Sequence, residues 1–451
     1  MHQNIIQLVQ LLVILLLLIY GGSKSMKNLI DLLVVGAGPA GLMAAKSAAE
    51  LGLKVTLVEK NKDFKQLRRA CSTQFIMDDG YENEFIQIAD GKLIFPNNKF
   101  EVKYSGKLID VTNKYYYSPK GHRIHFAHPD QKPFAVKFDK RKLVEDLYNK
   151  CNELGVEILM STLACGGKDM GHHVSIDLRT NDKHHTLEAR KVIIAEGVNA
   201  YLTGKLGLNA DRTLYATAHV VKYILQGLDG YEPHSWNLYY GKAYHSNAAV
   251  IIGPSIYGDD TVELTLSGSS ILRPDSILGK LKTDSPIKDK FTNTRIIDKQ
   301  GCAVKAFGAL KKPYSGNILT IGDSAAFVEV EVQGALMCGF HAANAILNEL
   351  EGNNGFEQYT SWWDKSFEFN RDEYLQVSQG YALVPTYSDD ELDYLFSLIE
   401  NVTLEGTYSQ YKTPHLIWDT ILSNAEQIKN ERPEIYQKIC KMNQMTLANS
   451  F

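Results

Sequence analysis

Leu33-Val-Val-Gly36-Ala-Gly38-Pro39-Ala40-Gly41, followed by Val55-Thr-Leu-Val-Glu59, reads as one βαβ unit with a nucleotide site at its turn. Leu32 to Val35 is a short apolar strand. Gly36 suits a tight turn, Gly38 lets a pyrophosphate lie against bare backbone, and Gly41 allows the helix to approach the sheet. The helix expected from Pro39 to Leu51 begins with Pro39 and Ala40 and aims its first N–H groups at that phosphate. Glu59 falls roughly 20 residues beyond the glycines, where a carboxylate accepts ribose hydroxyls. Lys60 stands next to it and joins the candidate binding set. Glycine spacing alone is weak evidence, but here the strand, the helix and the acid are all in place. Glu59 would repel a 2′-phosphate, which argues against NADP and leaves NAD or FAD.

A second segment separates those two. Asn317-Ile-Leu-Thr-Ile-Gly322-Asp323-Ser324 reads as a buried strand ending in a Gly-Asp turn, and a helix is expected over Gly334 to Leu350. This segment resembles the second FAD fingerprint of the glutathione-reductase-type flavoproteins. The resemblance implies that Asp323 binds the ribityl chain. It also implies that Gly334-Ala335 opens a helix whose positive end faces the flavin. Alone, Asp323 would read as an ordinary turn aspartate; paired with the first motif it does not.

The chain has 451 residues, 44% hydrophobic and 22% charged, with a net charge of −4. That length suggests two or three domains, and the balance offers nothing to nucleic acid. The six cysteines form no CxxC, so neither a zinc set nor an iron–sulfur ligand set is visible. Electrons must then come from outside, from NAD(P)H or a reduced carrier protein. The cysteine spread gives no disulfide framework and suits a reducing compartment. Ile5 to Tyr20 is almost wholly apolar but short of the roughly 20 residues that span a bilayer. It reads equally as a weak membrane anchor or as a leader upstream of a start at Met26. The expected location is cytoplasmic, or peripheral to the cytoplasmic membrane.

The fold class is α/β: a Rossmann-like FAD-binding domain with an inserted antiparallel β substrate domain and a helical C-terminal region. After the 1–25 apolar segment, the FAD domain is expected in three pieces, 26–90, 136–211 and 301–350. The substrate domain occupies 91–135 and 212–300, and 351–451 is helical. Lys114 to Phe126 reads as a hairpin around Pro119-Lys-Gly121. Phe138-Asp139 leads into a helix with Leu143, Leu147 and Cys151 at spacing four, and Gly155 stops it. His173–Leu178 and Thr186–Ile194 form a second hairpin around Asn181-Asp182. Ser388-Asp-Asp-Glu391 is a capping box. Trp362, Trp363 and Phe367 read as the packing face of a helix.

With both FAD segments placed, the chain resembles the geranylgeranyl reductase family of flavoproteins. That family is related to electron-transfer-flavoprotein:quinone-type dehydrogenases and aromatic hydroxylases. The resemblance runs from Met26 to about Ile399. Arg69-Ala-Cys71-Ser-Thr is similar to the family's Arg-x-Cys-Gly-Gly segment, whose cysteine lies near the flavin. Phe138-Asp139 with its helix and Tyr387–Phe396 match further segments. There are departures. Ser72-Thr73 replaces the glycine pair. Ala195-Glu196-Gly197 carries a longer acid than the hydroxylases' Ala-Asp-Gly turn. Val328-Glu329-Val-Glu331-Val-Gln-Gly334 replaces a proline-rich, double-glycine loop. Of the aromatic substrate motif only Pro254 survives.

The resemblance implies hydride transfer from flavin N5 to a C=C bond of a prenyl or other apolar substrate at a membrane surface. Such a reduction also needs an acid. The motif positions put Cys71, Glu329 and Glu331 near the ring. A glutamate buried beside reduced flavin would have its pKa raised, as a proton donor near neutral pH requires. The competing readings are that both glutamates point to water along a strand-like edge, and that Cys71 is a small core residue. Arg69 is placed to balance the FAD diphosphate, and Gly197 to line the site. Two alternative functions stay open, a flavin monooxygenase and an electron-transfer flavoprotein feeding a quinone or partner. The halogenases' Trp-x-Trp-x-Ile-Pro is absent. His172-His173 and His184-His185 could face one another across their hairpin, but no carboxylate or cysteine completes a metal site, and none is expected.

Overall fold

The computed structural model describes residues 29–64, 68–378 and 383–441. The apolar run Ile5–Tyr20 lies outside them. Ile30–Val35 is the central strand of a parallel sheet. Val55–Val58 and then Glu157–Leu159 lie on one side of it, and the end of Lys183–Ile194 and then Ile318–Thr320 on the other. Its central strand is a nearly continuous apolar run, Leu32–Val35, because both faces are covered. Leu32 and Val34 point into a core with the helices Pro39–Glu50, Lys140–Glu153 and Glu331–Leu350. Leu33 and Val35 point the other way, onto a meander formed by Thr162–Asp169, Val174–Thr180 and the first half of Lys183–Ile194.

The expected local signals operate. Asp139 caps its helix by accepting from the N–H groups of Arg141 and Lys142. Leu143, Leu147 and Cys151 are buried, and Gly155 ends the run with φ +77°. Asn181 and Asp182 both take positive φ, the geometry of a tight hairpin turn. The Ser388–Glu391 capping box is complete. Trp363 and Phe367 are buried and Trp362 packs beside them.

A second, eight-stranded sheet stands against the first. Its order is Arg295–Phe307, Leu214–Gln226, Thr261–Gly268, Val250–Pro254, Ser235–Tyr239, Asn113–Tyr117, Arg123–Ala127 and Thr403–Glu405. Asn113–Ala127 is the expected hairpin. The strand Arg295–Phe307 runs past residue 300, paired along its length with Leu214–Gln226. Three short strands, Gln74–Ile76, Ala135–Phe138 and Leu108–Val111, bridge the two halves. No helix among the described residues is long and apolar enough to cross a membrane.

Candidate active site: a cavity between the two sheets

The parallel strands end at Val35, Val58, Ile194 and Thr320, and a cavity of about 700 Å³ opens above those ends. That is where open α/β sheets place their ligands, and the size suits a small-molecule site. Gly36 sits at φ +105°, and a Cβ there would fall 2.4 Å from the Ala195 carbonyl oxygen. A Cβ on Gly41 would fall 1.8 Å from the Gly36 oxygen. Both glycines are therefore required by packing. Gly38 is different: a Cβ on it meets nothing within 4 Å and would enter the cavity at the N-cap of the helix Pro39–Glu50. The Glu59 carboxylate accepts from Ala37 N–H at 2.8 Å and from Asn61, which fixes it at the cavity wall. The open space over Gly38, the oriented carboxylate and the helix N-terminus fit a dinucleotide.

Gly322 takes φ +62°, and the turn it starts is locked to Ala195-Glu196-Gly197. Gly197 N–H donates to Ser324 Oγ at 2.9 Å, and that hydroxyl donates back to the Gly197 carbonyl at 3.2 Å. The longer acid has a local role, since Glu196 accepts from Leu202 N–H and from Thr203, capping the helix Tyr201–Lys205. Arg69 donates to Asp323 at 2.8 Å, while its Nε is buried without a partner. Burial opposes its charge, but Asp323 and the neighbouring thiols and Glu329 outweigh that and raise its pKa. Of the expected cofactor residues, Gly36, Gly38, Pro39, Ala40, Glu59, Lys60, Arg69, Gly197, Gly322, Asp323 and Ala335 line the cavity.

Gly41 and Gly334 do not line it. The helix begins at Glu331, not at Gly334, because Val330 N–H is held by Asp323 Oδ1 and nothing in Glu331-Val-Gln breaks a helix. Gly334 instead makes room, since a Cβ there would meet Glu82 Oε2 and Phe367, each at 2.8 Å. The entry to this helix is strained: Val328 in the preceding loop has φ +64° and Glu331, the first helical residue, φ +54°. Conformations of that kind cost ~1–3 kcal/mol each in non-glycine residues, and they fall where the family resemblance leads one to look for glycines.

Glu331 does not point to water, and Glu329 is half-buried. Both line the cavity, and Glu331 is 7% exposed. Ser72 Oγ donates to Glu331 Oε2 at 3.2 Å. Burial, then the charges of Glu329, Cys71 and Glu82, push the Glu331 carboxyl well above its usual range. Burial and then Asp323 raise Glu329. Cys71 is half-buried and lines the same wall. The histidine pairs do not meet. His184 and His185 lie at the turn end of the hairpin opposite Arg179 and Leu178, while His173 precedes the other end, 3.6 Å from Glu188. No metal-holding cluster occurs among the described residues.

Other groups at the site escape a motif search. Lys137, Lys222 and Glu263 are buried together, and Glu263 lines the cavity. Each is a charged residue inside an apolar strand, a signal readable in Ala135-Val-Lys-Phe138 and Val262-Glu-Leu. Glu82 is buried behind Gly334 with Oε2 unpartnered. Burial and then Glu368 hold its pKa well above the usual carboxyl range. The folded state therefore keeps a proton that the unfolded chain releases, so this contribution is full at acid pH and is lost as pH rises through the folded pKa. The loss runs at up to about 1.4 kcal/mol per pH unit. Glu82→Gln should raise the Tm at pH 8 more than at pH 5. Equal shifts at both pH values would show that Glu82 ionises normally.

Residues 30–255 match the FAD binding domain family. A digeranylgeranylglycerophospholipid reductase of Methanocaldococcus jannaschii is 22% identical over 386 residues, covering 82% of this chain and 91% of the relative. Its namesake in Methanosarcina acetivorans is 24% identical over 401 residues, covering 84% and 91%. Among solved structures, a geranylgeranyl bacteriochlorophyll reductase-like protein of Thermoplasma acidophilum superposes with a TM-score of 0.69 at 18% identity, covering 92% of this chain and 99% of that one.

Proposed function

Because this chain belongs to the FAD binding domain family, we propose that its cavity holds FAD and that the reduced cofactor saturates a C=C bond of a prenyl lipid. The protein is an FAD-dependent oxidoreductase similar to geranylgeranyl reductases. The observation that carries the substrate class is the likeness to digeranylgeranylglycerophospholipid reductases over most of both chains.

Bound FAD supplies the hydride, taken in turn from an external donor. The remaining work belongs to side chains. Glu59 would accept the ribose hydroxyls, and the N-terminus of Pro39–Glu50 would meet the diphosphate. Asp323, oriented by Arg69 and Val330 N–H, would take the ribityl chain. Burial, the largest effect, and then the neighbouring Glu329 disfavour the Glu331 anion and hold its carboxyl well above the usual range, which suits it to the role of proton donor. It would offer that proton to the second carbon of the alkene, with Glu329 and Cys71 lining the same cavity.

The test is anaerobic reduction of the purified protein followed by reoxidation with prenyl lipids, quinones or oxygen in turn. Reoxidation by the lipid with a saturated product is expected. Oxygen-driven hydroxylation without alkene reduction would assign a monooxygenase instead. Cys71→Ala should keep its FAD, since the dinucleotide contacts lie elsewhere. It should slow reoxidation by the lipid about tenfold, the scale of losing roughly 1.4 kcal/mol in the transition state. An unchanged stopped-flow rate would remove Cys71 from the mechanism.

A further inference from the structure

Three charged side chains meet inside the protein on the substrate-sheet side of the cavity. Lys137 comes from the bridging strand Ala135–Phe138, and Lys222 and Glu263 from adjacent strands of the large sheet. All three are essentially inaccessible to solvent. Lys137 Nζ donates to Glu263 Oε2 and to the Ser72 carbonyl. Lys222 Nζ lies 3.1 Å from the same Glu263 oxygen and reaches Thr73 Oγ1 at 3.5 Å. Two ammonium groups thus share one carboxylate oxygen. The other, Glu263 Oε1, is buried with no partner, and Glu263 is the member that lines the cavity.

This is a poor arrangement for stability. Taking ions out of water is costly, and replacing a buried charged triad by apolar residues is often neutral or stabilising. Fully ionised, the triad also carries one uncompensated positive charge. The other groups facing it do not cancel that charge. Lys137 faces Glu263, Lys222, the Cys71 thiol and the Trp236 ring, 5.2 Å away; Glu263 also acts on Tyr231. Burial lowers the Lys137 pKa to about 8 against the opposing pull of Glu263, as expected of a cation awaiting an anion. The segment Cys71-Ser72-Thr73 ties the triad to the flavin-facing helix, since Ser72 accepts from Lys137 and donates to Glu331.

We propose that the Lys137–Glu263–Lys222 triad is the counter-charge for the negative charge that collects on the bound flavin when it is reduced. Two electrons from the external donor and one proton leave the flavin with one additional negative charge, and the triad holds one unmatched positive charge. Lys137 and Lys222 are positioning residues that act through the field at the cavity, with Glu263 fixing where that charge sits. The proposal rests on the FAD reading above.

The midpoint potential of the bound flavin, measured anaerobically against a reference dye, tests it without any substrate. Lys222→Met and Lys137→Met should each weaken the preference for reduced over oxidised flavin about tenfold, a fall of about 30 mV for a two-electron couple. Lys222→Arg, which keeps the charge, should restore the potential, and Glu263→Gln should raise it. A merely structural triad would give no such dependence on sign. Should Lys137→Met not fold, the two Lys222 variants decide. Potentials within twofold of the parent equilibrium in yellow, folded variants would overturn the proposal, as would weakened lipid binding at an unchanged potential. A parent protein that takes up no FAD would defeat the reading of the cavity itself.

Discussion

Gly38→Val should yield a folded protein that no longer retains FAD. The backbone at Gly38 has φ −74° and ψ 176°, which any residue adopts. An added Cβ meets no protein atom within 4 Å. The valine side chain therefore strains nothing in the protein and occupies the space over the helix N-terminus. A cofactor held against that backbone loses its seat, and a drop in affinity of about 10³-fold, roughly 4 kcal/mol, is expected. Flavin absorbance per chain after gel filtration measures it, with thermal unfolding as the check on the fold. Gly41→Val is the contrasting case. Its side chain would collide with the Gly36 carbonyl, so that variant should fail to fold whether or not FAD is present. A folded Gly38→Val protein with stoichiometric FAD would remove the dinucleotide from this turn.

Glu331→Gln should keep both fold and FAD and lose most of the proton delivery. Glutamine has the same shape, and its carbonyl can still accept from Ser72 Oγ. What it lacks is the transferable proton. General acid catalysis is worth roughly 10²–10⁴-fold, so reoxidation of the reduced enzyme by its alkene substrate should slow on that scale. The parent enzyme adds a pH signature. The donor must be protonated, so its rate should be flat at acid pH and fall as pH rises through the raised Glu331 pKa. In Glu331→Gln that fall should vanish. Stopped-flow traces between pH 5 and 9 give both readings. A variant rate within twofold of the parent would pass the acid role to Glu329 or Cys71.

The first FAD motif was legible in the sequence because its determinants are local. A tight turn, a helix N-terminus and a strand-end acid lie within thirty residues of one another, and each is specified by backbone geometry at its own position. The second segment was legible for the same reason up to Asp323. The helix start was not: Gly334 resembles an opening residue, yet its role is to clear Glu82 and Phe367, which arrive from distant parts of the chain. Burial of Glu329 and Glu331 was likewise undecidable locally, since alternating glutamates look the same on a wet edge and on a cavity wall. The loop at Cys71–Thr73 decides it for Glu331, whose carboxylate accepts from Ser72 Oγ. Lys137, Lys222 and Glu263 lie far apart in sequence and meet only through strand pairing. The sequence by itself determined the nucleotide turn, its acid and the class of cofactor. Only the tertiary structure decided which carboxyls are dry and which charges are shared, because desolvation and ion pairing depend on what the rest of the chain brings alongside.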